Sequence, residues 1–254
     1  MKHPFDLERY ILEHVCDSRE WHLPFLPPVH LPAFLSLHGV MVVISALILI
    51  LLFCVLYNQK QRVPTGLTNL LEMFVVFVRD HIAISHLGEE DGRRMTPLFC
   101  TFFFFILMLN LMGLIPVFST ATANPNVTAA LALITFSVMT VGAIFQKGWR
   151  AFWRSFIPVG VPVPLLIILL PIECVGLLMK TFALAIRLFA NLFSGHIIIF
   201  SLLGLILLLG MAALPSILLA VLISVLEVAV AFLQAYIFTL LSAIFIGQVY
   251  RGQH

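Results

Sequence analysis

Three charged residues recur at intervals of seven within an otherwise apolar stretch of the chain. Glu173, Lys180 and Arg187 are each separated by nearly two helical turns, so their side chains project from one face of a helix about 10 Å apart. An arginine near the middle of a bilayer costs about 2.5 to 3.5 kcal/mol on insertion scales, and such residues usually face a bundle interior or a water-filled cavity. The row therefore predicts a functional pathway, and an inert tie between helices is the alternative.

Polar side chains continue beyond Arg187. Asn191 lies one helical turn further along, and Ser194 and His196 follow it. A residue that only anchored one helix to another would not need this continuation. The pattern favours a path for ions.

Composition places the chain in the membrane class. Hydrophobic residues make up 61% of the 254 residues and charged residues 10%, and the mean hydropathy is +1.10. These values exceed the apolar content of soluble domains, so we predict an all-α polytopic membrane protein with about five membrane-embedded helices. The formal net charge of +2, without a basic run, argues against a nucleic-acid partner.

Cysteine and histidine spacing shows no disulfide or metal pattern. The four cysteines are scattered, and the four histidines before residue 34 are loosely spaced, unlike zinc ligands. The N-terminal residues have mixed charge and no compact apolar region, unlike a cleavable signal peptide. We expect no metal, no cofactor, and insertion through the first membrane helix.

Apolar runs and their breaks divide the chain into segments. We expect an extramembrane segment at 1–33 and a membrane domain at 34–254. The predicted elements of the membrane domain are a first span at 34–57, an amphipathic interfacial helix at 66–88, a charged link at 88–94, spans at 97–117 and 127–145, and two long helices at 163–209 and 216–249.

The two long helices exceed the thickness of a bilayer. A helix over 163–209 would be about 70 Å long, whereas the hydrocarbon core is about 30 Å thick. Such a helix is either broken or strongly tilted.

The distribution of Lys and Arg predicts the orientation. Five lie in residues 58–96, none in 118–126 and three in 146–155. The positive-inside rule places the first and last of these loops in the cytoplasm. With an odd number of spans, we expect the N-terminus outside and the C-terminus in the cytoplasm.

A turn at 210–215 would fold the two long helices into a strongly tilted antiparallel hairpin. In that register Arg187 lies opposite Gln234, and His196 lies opposite Glu227. We therefore expect the acid and the imidazole to be in contact.

Three sequence blocks resemble subunit a of the rotary F-type ATP synthase, the membrane stator of its motor. They are RLFANLFSGH at 187–196, EVAVAFLQAYIF at 227–238, and NLMGLIP at 110–116 followed by NPNVT at 124–128. The resemblance extends from about residue 66 to the end of the chain.

This resemblance implies a proton-conducting stator that packs two tilted helices along a ring of c subunits. Two aqueous half-channels and an essential arginine, matched here by Arg187, would couple proton flow to rotation of the ring. The positions that match proton-path residues are Asn191, His196, Glu227, Gln234, Glu173 and Asn110. The implied partners are the c-subunit ring, b-type peripheral-stalk subunits, the rest of the synthase and the lipid bilayer, in a bacterial inner membrane.

The side chains suit these roles. Arginine stays protonated, so Arg187 cannot carry the proton, but it can attract a carboxylate of the passing ring. His196 and Glu227 suit a proton relay, with a static tie as the alternative. Many bacterial members have the acid and the imidazole exchanged between these two positions. Gln234 alternatively serves as a helix–helix hydrogen bond, and Lys180 alternatively reaches to an interface.

Two other classes of function are weighed against the stator. A stand-alone secondary transporter should show two related halves, and no internal repeat is found. An intramembrane metalloenzyme needs clustered ligands, yet His196 is the only histidine between His86 and His254. No GxxxxGK[ST] loop occurs, so we expect no nucleotide site in this chain.

Overall fold

Helices account for nearly all of the chain that the computed structural model describes. The described residues are 20–21, 29–30, 36–56, 66–115, 118–154, 163–209 and 214–251. Two short strands, β1 (Glu20–Trp21) and β2 (Val29–His30), pair antiparallel. Apart from these strands, the predicted segment at 1–33 lies outside the described residues, as does most of the predicted turn at 210–215.

Seven α-helices follow within the described part of the chain. They are α1 (Leu37–Leu51), α2 (Leu67–Phe77), α3 (Glu89–Gly113), α4 (Pro125–Ser137), α5 (Trp149–Arg154), α6 (Val163–Leu209) and α7 (Leu214–Arg251). Stretches of π-helix extend three of them, at Leu52–Leu56, Val78–Ile84 and Val138–Gly142, and short α-helical pieces follow at Ser85–Leu87 and Ala143–Lys147.

Five helical segments of the described chain are long and apolar enough to cross a membrane. They are Leu37–Cys54, Glu89–Gly113, Pro125–Phe145, Ile167–Leu205 and Pro215–Tyr250. This confirms the predicted all-α polytopic class with five membrane-embedded helices.

The helix α2 and its π-helical extension bury part of the apolar face that the sequence predicts. Leu71, Val78 and Ile82 are buried, whereas Arg79 Nε donates to Asp80 Oδ1 at 2.7 Å on the exposed side. This hydrogen bond holds the pKa of the Asp80 carboxyl below its usual range. The exposed side also carries apolar residues, among them Leu67 and Leu70 of the predicted apolar face, so the two kinds of side chain are only partly separated.

The second span differs from its prediction. The helix α3 begins at Glu89 rather than near Pro97 and ends at Gly113, so the expected charged link is helical. Gly88, with φ 88°, ends the preceding segment, and three acidic residues in the first turn favour a helix start through the helix dipole. Pro97 does not interrupt this helix.

The longest helix is continuous. The helix α6 runs for 47 residues over the predicted bounds, with Pro171 inside it. An unbroken helix of this length is about 70 Å long, whereas the hydrocarbon core of a bilayer is about 30 Å thick. Of the two predicted alternatives, strong tilting is the one compatible with a continuous helix. The alternative of a broken helix is thereby removed.

Contacts divide the chain into two compact units. The first consists of Met1–Cys54, Phe104–Val127 and Leu188–Ala235, and the second of Val55–Phe103, Thr128–Arg187 and Tyr236–His254. The helices α3, α4, α6 and α7 each contribute one portion to each unit.

The core of the first unit joins α1 to the end of α3. Leu37, Met41, Leu109 and Met112 are buried together with Ala121, which begins a 3-10 turn at Ala121–Ala123. The turn is thereby packed against two helices.

Close helix packing in the second unit depends on small residues of α7. The hydroxyls of Thr135 and Ser242 lie 3.2 Å apart. The Tyr250 hydroxyl donates to the Val138 carbonyl at 3.3 Å, at the start of the π-helical stretch. At Gly247, an added Cβ atom would lie 2.7 Å from the His86 carbonyl oxygen.

Replacing Gly247 with alanine is therefore expected to destabilise the second unit. The added methyl group must push backbone apart, and overpacking of this kind costs about 1 to 3 kcal/mol. The measurement is the thermal unfolding midpoint of the purified protein in detergent. Gly39→Ala is the matched control, because its Cβ atom would meet Ser36 Oγ at an ordinary 3.6 Å. Equal midpoints for the two variants would contradict this packing.

Candidate functional site

Four of the seven predicted site residues are buried polar groups of the first unit. The exposed fractions are 0% for Asn110, 7% for His196, 3% for Glu227 and 5% for Gln234. Asn110 lies on α3, His196 on α6, and Glu227 and Gln234 are two turns apart on α7. Buried polar side chains are expensive in a membrane, so this cluster is a candidate for function.

The predicted antiparallel register of α6 and α7 is confirmed within the first unit. A Cβ atom added at Gly195 would collide with Glu227 Oε1 and would lie 3.0 Å from the Glu227 carboxyl carbon. The Glu227 side chain thus lies against the backbone of α6, beside the position that the sequence pairs with it.

The Glu227 carboxyl group has no hydrogen bond within the described chain. Both of its oxygens are buried and unpartnered. Burying an ionised carboxylate without partners costs several kcal/mol. Glu227 is therefore a candidate for proton binding.

The expected contact of His196 with Glu227 stays a prediction, and no hydrogen bond joins the two side chains in the described chain. His196 Nε2 lies 2.8 Å from Thr120 Oγ1, in the segment between α3 and α4. Successive side chains on a helix point about 100° apart, so Gly195 faces Glu227 while His196 points to another neighbour. His196 and the glycine that Glu227 of α7 packs against are adjacent on α6, but no hydrogen bond joins the imidazole to the acid.

The hydroxyl of Thr120 also reaches the end of α3. It donates to the Gly113 carbonyl at 3.3 Å, which leaves it able to accept a hydrogen bond from His196 Nε2. A Cβ atom at Gly113 would lie 2.8 Å from Thr120 Oγ1. Gly113 therefore makes room for the residue that orients the imidazole.

Asn110 links α3 to α7 in the same unit. Its Nδ2 donates to the Ala231 carbonyl at 3.4 Å, and its buried Oδ1 has no hydrogen bond among the described residues. Ala231 lies one turn beyond Glu227 on α7. A free amide oxygen thus lies near the carboxyl-bearing part of this helix.

Arg187, a residue of the second unit, is exposed on α6. It forms no hydrogen bond or ion pair within the described chain, and the neighbouring Phe182, Ala183, Ile186 and Ala190 are exposed as well. The guanidinium group therefore lies on an uncovered and largely apolar face.

The other two charges of the row behave differently from each other. Glu173 is half-buried and has no partner among the described residues. Lys180 Nζ donates to Gln248 Oε1 at 3.0 Å and lies 5.8 Å from the centre of the Phe245 ring. Lys180 thus joins α6 to α7 within the second unit, and its reach to an interface stays a prediction.

Two expectations for this row stay predictions. Asn191 is half-buried, with its carbonyl accepting from the Ser194 hydroxyl at 3.1 Å. The second expectation is that Arg187 lies opposite Gln234. These residues belong to different units, so it stays a prediction.

Sequence reasoning does not find Thr120, Gly113 or Gly195. The signal for Thr120 is the run STATANPN, which is rich in hydroxyl and amide groups and lacks charge next to two apolar spans. The glycines carry no chemical signal of their own, because their role is to leave space for a distant side chain.

Comparison with known proteins gives a consistent result. The profile of the ATP synthase A chain family matches residues 39–247. The chain is 46% identical over 215 residues to ATP synthase subunit a of Anaeromyxobacter dehalogenans (strain 2CP-C), covering 83% of this chain and 56% of that protein.

Two further bacterial relatives match over more of their length. Identity is 45% over 252 residues to ATP synthase subunit a of Chloroherpeton thalassium, covering 93% of this chain and 75% of that protein. It is 40% over 265 residues to ATP synthase subunit a of Myxococcus xanthus, covering 95% and 87%. The chain spans little more than half the length of the Anaeromyxobacter relative.

The contact between Gly195 and Glu227 can be tested by a double-mutant cycle. Gly195→Ala is expected to lower the free energy of unfolding by about 1 to 3 kcal/mol, because the new methyl group occupies the space of the carboxyl group. In a Glu227→Ala background the same change should cost little. The measurement is denaturant or thermal unfolding of the four proteins in detergent. Additive effects would show that the two positions do not touch.

Proposed function

Because the chain belongs to the ATP synthase A chain family, we propose that it is the proton-conducting stator of the membrane sector of an F-type ATP synthase. In this role two half-channels lead protons to and from a ring of c subunits, and Arg187 couples their passage to rotation. Nucleotide chemistry would take place in other subunits.

The position of Arg187 is the observation that carries this proposal. An arginine in hydrocarbon is costly unless an acidic or polar group covers it. Within the described chain Arg187 has no such partner, and its surroundings on α6 are exposed and apolar. A carboxylate on a second, membrane-embedded protein would neutralise the guanidinium charge, and that protein would shield the group from lipid.

A ring of c subunits fits that requirement. Arginine keeps its proton, so the guanidinium favours the ionised form of each ring carboxyl group that approaches. The carboxyl group thus releases its proton near Arg187, and the fixed positive charge opposes direct proton leakage past it. The exposed residues Ala183 and Ala190, one turn to either side, permit close approach of another helix.

The buried cluster of the first unit is assigned to proton entry. Glu227 offers a carboxyl group without hydrogen bonds, and His196 offers an imidazole whose Nε2 is held by Thr120. These two groups can accept and donate protons, and the amides of Asn110 and Gln234 can hydrogen-bond to water or to side chains along the path. Asn191 continues this set along α6. Glu173, which is half-buried and unpartnered, is assigned to the exit path.

The remaining partners and the orientation belong to the same proposal. We expect b-type peripheral-stalk subunits and the rest of the synthase to hold this chain against the ring. The family members named above are bacterial, which supports a bacterial inner membrane. The Lys and Arg distribution supports an outer N-terminus and a cytoplasmic C-terminus, with the long helices strongly tilted.

Arg187→Ala is expected to abolish coupled transport while the complex still assembles. Without the fixed charge, nothing favours release of the ring proton at the stator. The measurement is ATP-driven proton pumping in inverted membrane vesicles, with assembly followed by the amount of this chain and of the ring in purified complexes. Lys180→Ala is the control, since it removes another cation of the same row and should leave most of the pumping. Pumping that survives in Arg187→Ala would contradict the proposal.

Thr120→Val is expected to slow proton entry about tenfold, because a valine keeps the volume but cannot hold the His196 ring. Thr120→Ser restores the hydroxyl and should recover most of the rate. The measurement is ATP synthesis driven by an imposed proton gradient in vesicles that contain the intact complex. A wild-type rate in Thr120→Val would show that the hydroxyl does not position the imidazole.

A further inference from the structure

A second buried imidazole lies in the first unit and has no part in the path described so far. His38 is in the first turn of α1 and is 1% exposed. We propose that His38 is an additional proton-binding group of the entry path, which receives protons from outer water and passes them toward His196. This inference rests on the stator function proposed above and adds a residue from the first helix to it.

The segment between α3 and α4 joins the two imidazoles. Asn124 Nδ2 lies 3.2 Å from His38 Nδ1, and four residues earlier Thr120 Oγ1 lies 2.8 Å from His196 Nε2. Only the 3-10 turn Ala121–Ala123 separates Thr120 from Asn124. At about 2 Å of rise per residue, the two contact points are roughly 8 Å apart along the chain.

A polar group without a partner lies between these two contacts. Thr122 is 0% exposed, and its hydroxyl has no hydrogen bond within the described chain. A buried hydroxyl left unsatisfied costs about 1 to 3 kcal/mol. A site of this kind suits a water molecule or a passing proton, and it points to transport along the segment.

The local hydrogen bonds define how His38 can exchange a proton. The Asn124 side-chain oxygen accepts from the Asn126 backbone N–H at 3.0 Å, so its amide nitrogen faces His38 Nδ1. In neutral His38 the proton is then on Nε2. A proton taken from outer water forms a second N–H bond at Nδ1 when the Asn124 amide turns its oxygen toward the ring.

Release completes the exchange. The imidazolium gives one proton to water beside the hydroxyls of Thr122 and Thr120, which lead to His196, and it returns to the neutral form. One N–H bond forms and one breaks, and water supplies and receives the proton. No other group changes its covalent state.

The alternative role of His38 is a structural tie between α1 and the segment before α4, and side-chain chemistry distinguishes this tie from proton transfer. His38→Gln keeps a hydrogen-bonding side chain but cannot carry a proton, whereas His38→Glu can. Ser45→Ala is the matched control: Ser45 lies two turns further along α1, is fully buried, and donates to Met112 Sδ at 3.1 Å. It removes a buried polar contact without removing a titratable group.

The experiment measures ATP synthesis driven by an imposed proton gradient in vesicles with the intact complex, normalised to the amount of complex. We expect His38→Gln to lower the rate about tenfold, His38→Glu to recover at least about half of it, and Ser45→Ala to remain near wild type. A wild-type rate in His38→Gln, or equal losses in the Gln and Glu variants, would overturn the inference.

A second measurement covers the case in which His38→Gln does not assemble. In His38→Ala, added imidazole should raise the rate of synthesis severalfold if the position carries protons, and no response would overturn the inference. Arg187→Ala separates this test from that of the parent function. If Arg187→Ala abolishes ATP synthesis while His38→Gln keeps the wild-type rate, only the role of His38 is refuted. If Arg187→Ala keeps the wild-type rate, the stator function itself is refuted.

Discussion

The cost of an uncompensated charge in hydrocarbon governs how this chain is built. Arg187 and Glu227 meet that cost in opposite ways. The arginine lies exposed on an apolar helix face. The carboxyl group is buried where no described residue hydrogen-bonds to it. A structural ion pair would have joined the charge to a partner within the chain. Neither charge is part of a structural ion pair among the described residues, which is unusual for ionisable groups in an apolar helix and marks both as candidates for function.

Small residues decide which polar groups can approach one another. Gly195 lets the Glu227 carboxyl group lie against the backbone of α6, and Gly113 lets Thr120 reach the end of α3. The imidazole of His196 then takes its direction from Thr120 rather than from the acid. The base on α6 and the acid on α7 share no hydrogen bond, so each can change its protonation without breaking a bond to the other.

The segment from Thr120 to Asn124 has a larger role than its length suggests. It is packed by Ala121 against the apolar core of α1 and α3, and its polar side chains contact residues of both α1 and α6. Because apolar packing holds the backbone in place, the hydroxyl and amide groups are presented in fixed directions. A short connection thus organises the polar interior of the first unit.

Local pattern was sufficient for much of the fold. Apolar run length predicts the spans, and the bounds of α6 coincide with the prediction because no strong helix breaker interrupts 163–209 except Pro171, which the helix accommodates. The start of α3 was missed, since a charged stretch with a proline resembles a link. Whether such a stretch is helical depends on the dipole at its first turn and on the glycine before it.

The sequence by itself determined the membrane class, the isolated charges and the antiparallel register, because hydrophobicity and helical periodicity are local properties of the chain. Only the tertiary structure decided that Gly195 faces Glu227, that Thr120 holds His196, and that Asn124 contacts His38. These contacts join residues far apart in sequence. They depend on the rotation of each helix about its axis, and one residue of rotation, about 100°, selects a different partner.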